Sequence, residues 1–396
     1  MGKLRLAVLN TQPPHLYFGG VERRIMETAK RISGSVDMTV YSGTKAGFKK
    51  PKKINGFTVV PFFSTDKLFP VDNWFFNRTL ADYATDIEAD VYEAHNASGY
   101  AFIKALRKRS KNAPFVQTVH GVLADEYIQT AMSGHLSPRM KLASFMMWRL
   151  SRLEGETARA ANIVVSVSHN SAKRACRLYD LDMAKARVVP NGVDTERFRP
   201  ADEGDKFNGR LGLGDRQVVL FVGRLIPRKG LHFLVEAASR VVKECNNVVF
   251  IIVGDGPLRG SLTSQLASLS LSRNFLFLGN VKEAALPRVY NGCDVFAFPS
   301  LQEGQGIALL EAQASAKPVV AFNVGGVNEA VRGGESGLLV ERANTGALAE
   351  AIVKLLSDAP LRRRMGVVGR EFVIANYTWD ICAEKMLKVY CEAAAV

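Results

Sequence analysis

Short apolar runs alternate with longer stretches of helical character, and this alternation restricts the fold more than any other feature of the chain. In the first half the apolar runs are 4–9, 38–41, 57–61, 91–94, 115–119 and 163–167. In the second half they are 218–222, 248–253, 275–279, 293–298 and 337–339. Runs bounded by glycine or proline are typical of strands buried on both faces. The alternation therefore predicts an α/β fold in which helices cover both faces of parallel sheets.

The stretch from Pro299 to Glu329 carries the strongest signal for a binding site. A predicted strand ends at Pro299, a glycine-containing loop follows, and a helix is predicted over 307–316. Helix starts of this kind bind anions, because free backbone N–H groups and the helix dipole point toward the ligand. Glu303 and Glu311, separated by seven residues, flank the loop. A carboxylate can accept hydrogen bonds from paired sugar or ribose hydroxyls. The alternative is an ordinary strand–loop–helix unit with solvated glutamates.

Two cations follow the predicted strand 218–222. Arg224 comes shortly after its end, and Lys229 precedes a helix predicted over 231–243. Two fixed cations near the start of a helix can stabilise a diphosphate that gains negative charge as a leaving group. The alternative is a pair of surface cations without a ligand.

Polar or glycine-rich positions also follow two strands of the first half. Gly19 and Gly20 lie between the run 4–9 and a predicted helix, where glycine permits a close backbone approach. His120 stands at the end of the run 115–119, and ligands of parallel sheets bind at the carboxyl ends of strands. The alternatives are a plain strand–helix turn and a structural or surface histidine.

The spacing of the two glutamates, together with Pro299-Ser300 before them and Gly325-Gly326 after them, resembles the retaining, family-4 (group 1) glycosyltransferases of the GT-B fold. The resemblance implies two Rossmann-like parallel-sheet domains that face each other across a cleft. The first domain is expected to span 1–195 and to bind the acceptor, with the C-terminal helix 378–396 packed back on it. The second is expected to span 196–377 and to bind the nucleotide sugar.

The resemblance also assigns roles to individual residues. Arg224 and Lys229 would hold the donor diphosphate, and Glu303 would position the donor sugar. Glu311 would bind the ribose hydroxyls, and Gly254 would border the nucleotide pocket. Further donor contacts are implied for the backbone N–H groups of Gly304, Gln305, Gly306 and Ile307. Gly19, Gly20 and His120 would complete the site from the first domain, and the catalytic set is His120, Glu303, Arg224 and Lys229.

The function implied by this resemblance is transfer of a hexosyl unit, with retention of configuration, from a GDP- or UDP-sugar to an acceptor. The acceptor would be lipid-linked or a glycan, in the assembly of a cell-surface glycan or glycolipid. No cofactor and no obligatory metal ion are expected, because no metal-ligand cluster is evident. Two alternatives stay open: a nucleotide-sugar epimerase of the same fold, and a transferase that acts on a soluble phosphorylated sugar.

The positive charge is concentrated in the first half. Residues 1–200 contain 30 lysines and arginines against 18 acidic residues, whereas residues 201–396 contain 22 against 20. A basic half suggests an anionic partner such as lipid headgroups, a phosphate-bearing acceptor or nucleic acid. Residues 138–153 interleave apolar and basic side chains, which is typical of a helix at a membrane surface but also of a core helix with solvated arginines. No RNA-binding or helix-turn-helix signature is found, so no nucleic-acid partner is expected.

The cellular location is predicted from cysteines and hydropathy. The five cysteines are scattered without the spacing of a zinc site or a disulfide framework, which fits a reducing compartment. We expect no signal peptide and no membrane-spanning segment. The expected location is cytoplasmic, at the inner face of the cell membrane if the basic half binds lipid.

Overall fold

The structure, a computed structural model, describes residues 2–17, 19–44, 47–65, 71–109, 113–132 and 138–395. The chain divides into two compact units. The first unit consists of Met1–Asn191 and Trp379–Val396, and the second consists of Gly192–Thr378.

The elements of both units mostly alternate between strands and helices, as the apolar runs predict. Those of residues 1–191 are β1 Leu4–Leu9, α1 Gly20–Ile32, β2 Val36–Gly43, β3 Lys52–Ile54, β4 Phe57–Phe62, α2 Val71–Asp82, β5 Val91–His95, α3 Tyr100–Arg109, β6 Phe115–Val119, α4 Leu123–Met132, α5 Pro138–Ala160, β7 Ile163–Ser166, α6 His169–Tyr179 and β8 Ala186–Val188. Those of the remaining residues are α7 Glu203–Arg210, β9 Gln217–Val222, α8 Leu231–Glu244, β10 Val248–Val253, α9 Arg259–Ser268, β11 Phe275–Gly279, α10 Leu286–Asn291, β12 Val295–Phe298, α11 Ile307–Ala314, β13 Val319–Phe322, α12 Val327–Ala330, β14 Gly337–Val340, α13 Thr345–Ser357, α14 Ala359–Asn376 and α15 Trp379–Ala394.

The described part of the first unit forms one sheet with the strand order β3-β4-β2-β1-β5-β6-β7-β8. All neighbouring strands in it are parallel except β3 and β4, which pair antiparallel with Lys52 opposite Val59. The central strands β5, β6 and β7 are buried along their whole length. Strands that are covered on both faces are mostly apolar, which is why these runs are visible in the sequence.

The second unit contains a parallel sheet with the order β11-β10-β9-β12-β13-β14. The chain moves outward from β9 to β11, then crosses to β12 and moves outward in the opposite direction. The order therefore reverses between β9 and β12, as in dinucleotide-binding Rossmann sheets. The core on both faces of this sheet is continuous and includes Phe221, Phe250, Phe296 and Leu310, each with at most 1% exposure.

The prediction of two α/β units with parallel sheets is confirmed, and the antiparallel β3 is the exception within the described strands. Strands β3, β8 and β13 are additional to the predicted ones. The first two have three residues each, and β13 is a four-residue run directly after Lys317-Pro318. Such runs are too short to show a period, so their pairing is decided by the neighbouring strand.

The unit boundaries differ by a few residues from the predicted 195/196 and 377/378. Residues just after Gly192 are tied to the second unit by hydrogen bonds: the Val193 N–H donates to the Tyr377 carbonyl at 2.8 Å. Arg370 donates to the carbonyls of Phe198 at 3.0 Å and Thr195 at 3.3 Å. These bonds place the division before Val193, whereas the sequence showed only a polar stretch.

Candidate functional site

Lys229 and Glu303 meet at the position where the strand order of the second sheet reverses. Lys229 lies in the 3-10 turn Pro227–Lys229 beyond β9, and Glu303 lies in the loop beyond β12. Because β9 and β12 are parallel neighbours, their carboxyl ends lie at the same edge of the sheet. This is the edge at which open α/β sheets bind ligands.

The backbone of the two loops is joined at Gly230 and Leu301. Gly230 has a φ of +64°, and a β-carbon there would lie 2.0 Å from the carbonyl oxygen of Pro299. The Leu301 N–H donates to the carbonyl of Arg228 at 2.8 Å. The loop after β9 therefore packs directly on the loop after β12, and this contact determines where Lys229 stands.

The side chains of Lys229 and Glu303 form a largely buried ion pair. Lys229 Nζ donates to Glu303 Oε2, and the two side chains are 14% and 13% exposed. Lys229 Nζ also lies 4.9 Å from the ring centroid of Phe298. Burial raises the pKa of Glu303, but the charges of Lys229 and Arg228 and the Gly304 N–H outweigh it, so that the pKa is lowered. Glu303 is therefore an ionised carboxylate that can accept hydrogen bonds.

The carbonyl of Glu303 is fixed by the glycine pair that follows β13. The Gly326 N–H donates to it at 3.1 Å. Gly325 has a φ of +50°, and a β-carbon there would lie 2.1 Å from the same oxygen. Gly325-Gly326 therefore supports the glutamate loop through its backbone, which explains why it belongs to the same sequence pattern.

The loop from Gly304 to Ile307 leads into α11. Gly306 is the N-cap with a φ of +89°, and Gln305 is 2% exposed. Helix α11 ends at Ala314, two residues earlier than predicted for 307–316, because Ala316 has a φ of +54°. A helical residue cannot adopt that conformation, so the helix stops before it.

Glu311 lies on α11 and is only 3% exposed. Its Oε2 accepts a hydrogen bond from Tyr290 Oη at 2.7 Å, and Tyr290 is itself fully buried. The second glutamate of the pair is therefore packed into the second unit, in contrast to a solvated surface glutamate. A role in binding ribose stays a prediction.

Arg224 and Gly254 lie beyond neighbouring strands. Arg224 is exposed beyond β9, and the structure records no side-chain partner for it among the described residues. Gly254 follows β10 with a φ of +121°, and a β-carbon there would lie 2.0 Å from the carbonyl oxygen of Gly223. The backbone after β10 thus packs on the loop that carries Arg224.

Gly19 and Gly20 form the exposed N-terminus of α1 in the first unit. Gly19 is the N-cap residue, and a β-carbon at this position would lie 2.2 Å from Glu22 Oε2. Glu22 is buried and also accepts a hydrogen bond from Asn10 Nδ2 at 3.3 Å. A side chain at position 19 would therefore require the Glu22 carboxylate to move.

His120 lies at the carboxyl end of β6 and contacts a second histidine. Its Nε2 is 2.9 Å from Nδ1 of His95, which ends the neighbouring strand β5. The backbone N–H of His120 donates to Asn96 Oδ1 at 3.1 Å. Asn96 has a φ of +49°, a conformation that asparagine tolerates better than most residues. The turn after β5 thus orients both the backbone and the ring of His120.

Behind the histidines lie buried residues that the sequence prediction missed. Glu93 Oε1 accepts from Thr118 Oγ1 at 2.5 Å, and Glu93 Oε2 accepts from Tyr390 Oη at 2.6 Å. Arg24, which is 1% exposed, donates to the Val189 carbonyl at 2.8 Å. The available signal was the occurrence of Glu93 and His95 within a strand that is otherwise apolar.

The described residues contain no group of three or more histidine, cysteine or acidic side chains that could hold a metal ion. Asp180 and Asp182 have the Asp-x-Asp spacing that is found in some metal sites, but both residues cap the ends of helical segments. Asp180 is the left-handed C-cap of α6, and Asp182 accepts from the Ala184 N–H at 2.9 Å as an N-cap. That the reaction needs no obligatory metal ion stays a prediction.

Two family models match the chain and together cover most of it. The model described as Glycosyltransferase Family 4 matches residues 18–197, and the model described as Glycosyl transferases group 1 matches residues 205–372. The chain belongs to the family-4 glycosyltransferases of the GT-B fold. The resemblance inferred from the paired glutamates is thus confirmed at the level of the family.

Relatives and solved structures agree with this assignment. The GDP-mannose-dependent alpha-(1-6)-phosphatidylinositol monomannoside mannosyltransferase of Mycobacterium tuberculosis is 29% identical and aligns over 96% of each chain. The alpha-maltose-1-phosphate synthase of Mycolicibacterium smegmatis is 34% identical over 62% of this glycosyltransferase and 67% of that protein. The sucrose-phosphate synthase structure from Thermosynechococcus elongatus superimposes with a TM-score of 0.84 and 20% identity, over 99% of this chain and 100% of that one.

Proposed function

We propose that this glycosyltransferase moves a hexosyl unit from a nucleotide diphosphate sugar to a lipid-linked or glycan acceptor, with retention of configuration. GDP-mannose is the first donor to test, because a relative that aligns over nearly the whole chain is named for it. A UDP-sugar is the second. Retention is the part of the proposal that rests on the resemblance to the family.

The observation that carries the proposal is the largely buried Lys229–Glu303 pair, with the exposed Arg224 in the same loop as Lys229. In the proposed reaction the bond between the sugar C1 and the diphosphate oxygen breaks, and negative charge develops on the leaving group. Fixed cations stabilise such charge more strongly than water does, because they need no reorganisation. Arg224 and Lys229 are therefore assigned to the diphosphate. The acceptor hydroxyl forms the new bond to C1, and its proton passes to the departing phosphate oxygen.

Glu303 is assigned to the donor sugar. An ionised carboxylate accepts hydrogen bonds from adjacent hydroxyls and fixes the orientation of the ring. Its pKa is lowered although it is buried, so it remains an acceptor near neutral pH. Backbone N–H groups at the start of α11 are proposed to supply donors beside it. For Gly19, Gly20 and His120 a role in binding the donor is also proposed.

The reaction is proposed to proceed without an obligatory divalent metal ion. Two protein cations, Arg224 and Lys229, neutralise charge on the diphosphate in the way that a metal ion does in other transferases. Activity should therefore persist in excess EDTA. A complete loss of activity that is restored by magnesium or manganese would contradict this part of the proposal.

The direct test is a donor screen on the purified full chain. Nucleotide release is measured for GDP-mannose, UDP-glucose and related donors, each with and without a lipid extract. Release that depends on the extract supports a lipid-linked acceptor, whereas release with a phosphorylated sugar supports the soluble alternative. Conversion of the donor alone to an isomer would identify an epimerase. The anomeric configuration of the product, read by NMR, decides whether it is retained.

Replacement of either member of the ion pair should abolish most of the transfer activity. We expect Lys229→Ala to lower kcat/KM about a hundredfold, since loss of a fixed cation at a developing anion raises the barrier by about 3 kcal/mol. Glu303→Ala should lower it to a similar extent, because it removes the charged acceptor assigned to the sugar hydroxyls and the carboxylate that binds Lys229. Lys243→Ala, at an exposed lysine on α8, is the matched control and should retain wild-type activity. Wild-type turnover in a folded Lys229→Ala or Glu303→Ala protein would refute the assignment.

A further inference from the structure

A row of buried polar side chains runs from helix α15 to His120 through the interior of the first unit. Tyr390 Oη donates to Glu93 Oε2 at 2.6 Å, and the other carboxylate oxygen, Oε1, lies 3.7 Å from His95 Nε2. His95 Nδ1 lies 2.9 Å from His120 Nε2. Glu93, His95 and Tyr390 are each at most 2% exposed. His120, at the end of the row, is partly exposed.

We propose that Glu93 and Tyr390 are positioning residues that fix one tautomer of His95 and of His120, so that His120 offers an unprotonated Nδ1 to a substrate hydroxyl. The inference rests on the proposed function in one respect: the substrate is a sugar or an acceptor that carries hydroxyl groups. It assigns a role in the reaction to two buried residues that lie away from the substrate.

The direction of the tautomers follows from the acceptor pattern of Glu93. Both of its oxygens accept from hydroxyl groups, those of Thr118 and Tyr390, which is the pattern of an ionised carboxylate. Glu93 Oε1 lies 3.7 Å from His95 Nε2, beyond hydrogen-bond distance, so its influence on the ring is electrostatic. A negative charge near a ring nitrogen favours a proton on that nitrogen, and we therefore assign the proton of His95 to Nε2. His95 Nδ1 then has the lone pair and must accept from His120 Nε2–H. The single ring proton of His120 is used in the bond to His95, and Nδ1 of His120 is left as an acceptor.

The surroundings keep both rings neutral, as the argument requires. Burial lowers the pKa of His95, although the charge of Glu93 opposes this effect. Burial, His95 and the charge of Arg24 together hold the pKa of His120 well below its usual range. Arg24 and Glu93 line the same small cavity with His95 and Tyr390, so the buried charges of the cavity balance. A neutral ring with a defined tautomer can accept a hydrogen bond from a hydroxyl but cannot donate one to a phosphate from Nδ1.

The tautomeric state of His95 and His120 is the measurement that distinguishes a positioning role of Glu93 and Tyr390 from a contribution to stability alone. The full chain is labelled with ¹⁵N-histidine, and long-range ¹H–¹⁵N spectra report which ring nitrogen of each histidine bears the proton. His120→Asn and His95→Asn proteins identify the two sets of signals. We expect Nε2–H at both His95 and His120 in the wild type. A proton on Nδ1 of His120 would overturn the proposal.

Two variants test the contribution of Glu93 and Tyr390. Tyr390→Phe removes one hydrogen-bond donor to the carboxylate, and Glu93→Gln replaces the carboxylate with an amide that can donate toward His95. Both should produce a mixed population of tautomers at His95 and His120, and both should lower kcat/KM about tenfold, the equivalent of one hydrogen bond. Unchanged tautomers together with wild-type kcat/KM in both variants would refute the positioning role.

Tyr92→Phe is the matched control for Tyr390→Phe. Tyr92 is 6% exposed on β5, next to Glu93, and its hydroxyl donates to the Ile87 carbonyl at 2.8 Å without contacting either histidine. It should lower the melting temperature to a similar extent and leave the tautomers and kcat/KM unchanged. If the wild type transfers no sugar from any donor, the proposed function fails, and the spectra alone then decide on the positioning role.

Discussion

At the scale of single residues, glycines determine where the charged side chains of the second unit stand. Gly230 has a φ of +64° and no room for a β-carbon, because the Pro299 carbonyl oxygen would be 2.0 Å away. The residue before it is Lys229, whose ammonium group is bound to Glu303. The geometry of the ion pair therefore depends on the absence of a side chain at the next position.

Replacement of this glycine separates two physical effects. A left-handed backbone alone costs an alanine about 1 kcal/mol. Gly230→Ala should lower the free energy of unfolding by more than this, because the added β-carbon also meets the Pro299 carbonyl oxygen. Gly212→Ala is the matched control: its φ is +65°, and nothing lies within 4 Å of the added carbon. Urea unfolding of both variants gives the difference. Equal losses of stability would show that the contact with Pro299 does not matter.

The same scale shows what could be predicted for the site. The positions of Lys229 and Glu303 after apolar runs made them candidates, because a strand end exposes the residues that follow it. Their roles came from the resemblance to the family. Their direct contact was not predictable, since it requires β9 and β12 to be neighbours in the sheet. In the chain, 72 residues lie between the end of β9 at Val222 and the start of β12 at Val295, and they contain two other strands. Tyr390 was missed for the same reason: its partner Glu93 lies 297 residues away.

At the scale of elements, α5 has two different faces, which the sequence left unresolved. Leu150, Ser151 and Glu154 are buried, whereas Phe145, Arg149 and Arg152 are exposed. Trp148 stacks on Phe145 with 5.7 Å between the ring centroids, and the Arg152 guanidinium lies 5.3 Å from the centroid of Trp148. The sequence predicted either a core helix or a surface helix, and the described part of α5 has both characters.

The buried face of α5 contains an acidic group that is not paired with a cation among the described residues. Glu154 is fully buried, and its Oε2 accepts from the Leu123 N–H at 3.1 Å and from Tyr179 Oη. Burial raises the pKa of Glu154 to about 8, although these two hydrogen bonds oppose it. In the unfolded chain this carboxyl loses its proton near pH 4.5. Between pH 4.5 and about 8 the folded state therefore binds one more proton than the unfolded state. Stability therefore falls as the pH rises through this window.

Glu154→Gln should remove this part of the pH dependence. The wild type is expected to lose up to about 1.4 kcal/mol of unfolding free energy per pH unit between pH 5 and pH 8 from this group. The stability of the variant relative to the wild type should accordingly increase across the same range, as measured by urea unfolding at several pH values. Glu88→Gln, at an exposed carboxylate of the same unit, is the control. A constant difference between Glu154→Gln and wild type would contradict the raised pKa.

Element types were predictable over most of the chain, and their ends were less so. The helix predicted over 231–243 is α8 Leu231–Glu244, and Gly230 marks its start in both. Helix α11 ended early because of a backbone conformation at Ala316 that alanine rarely adopts. The antiparallel β3 is a three-residue edge strand with no apolar signal. These errors occur where tertiary contacts override local sequence preference.

At the scale of the whole molecule, the uneven charge needs an explanation that the fold does not give. Residues 1–200 have an excess of twelve positive charges, and residues 201–396 have an excess of two. None of the helices in the described residues is long and apolar enough to cross a membrane. The exposed face of α5 combines Phe145, which is 54% exposed, with Arg149 and Arg152. Apolar and basic side chains on one face are the composition of a helix that binds an anionic lipid surface.

We predict that the full chain binds anionic vesicles at low salt through this face of α5. Each basic residue near such a surface contributes about 1 kcal/mol, so Arg149→Gln with Arg152→Gln should weaken the vesicle affinity roughly thirtyfold. Salt should weaken binding as well, because the Debye length falls to about 3 Å at 1 M. Arg139 and Lys141 belong to the same predicted surface, but their side chains lie outside the described ones.

Vesicle sedimentation measures this binding, with neutral vesicles as the lipid control. Arg363→Gln with Arg364→Gln is the matched protein control, because it removes the same charge from an exposed helix of the second unit. Loss of binding in the α5 variant alone supports a membrane-bound acceptor, since the transferase would then meet its lipid at the surface to which it is bound. Equal weakening by both pairs would indicate a nonspecific charge effect. Failure of the wild type to sediment with anionic vesicles at low salt would remove the membrane hypothesis and favour an acceptor in solution.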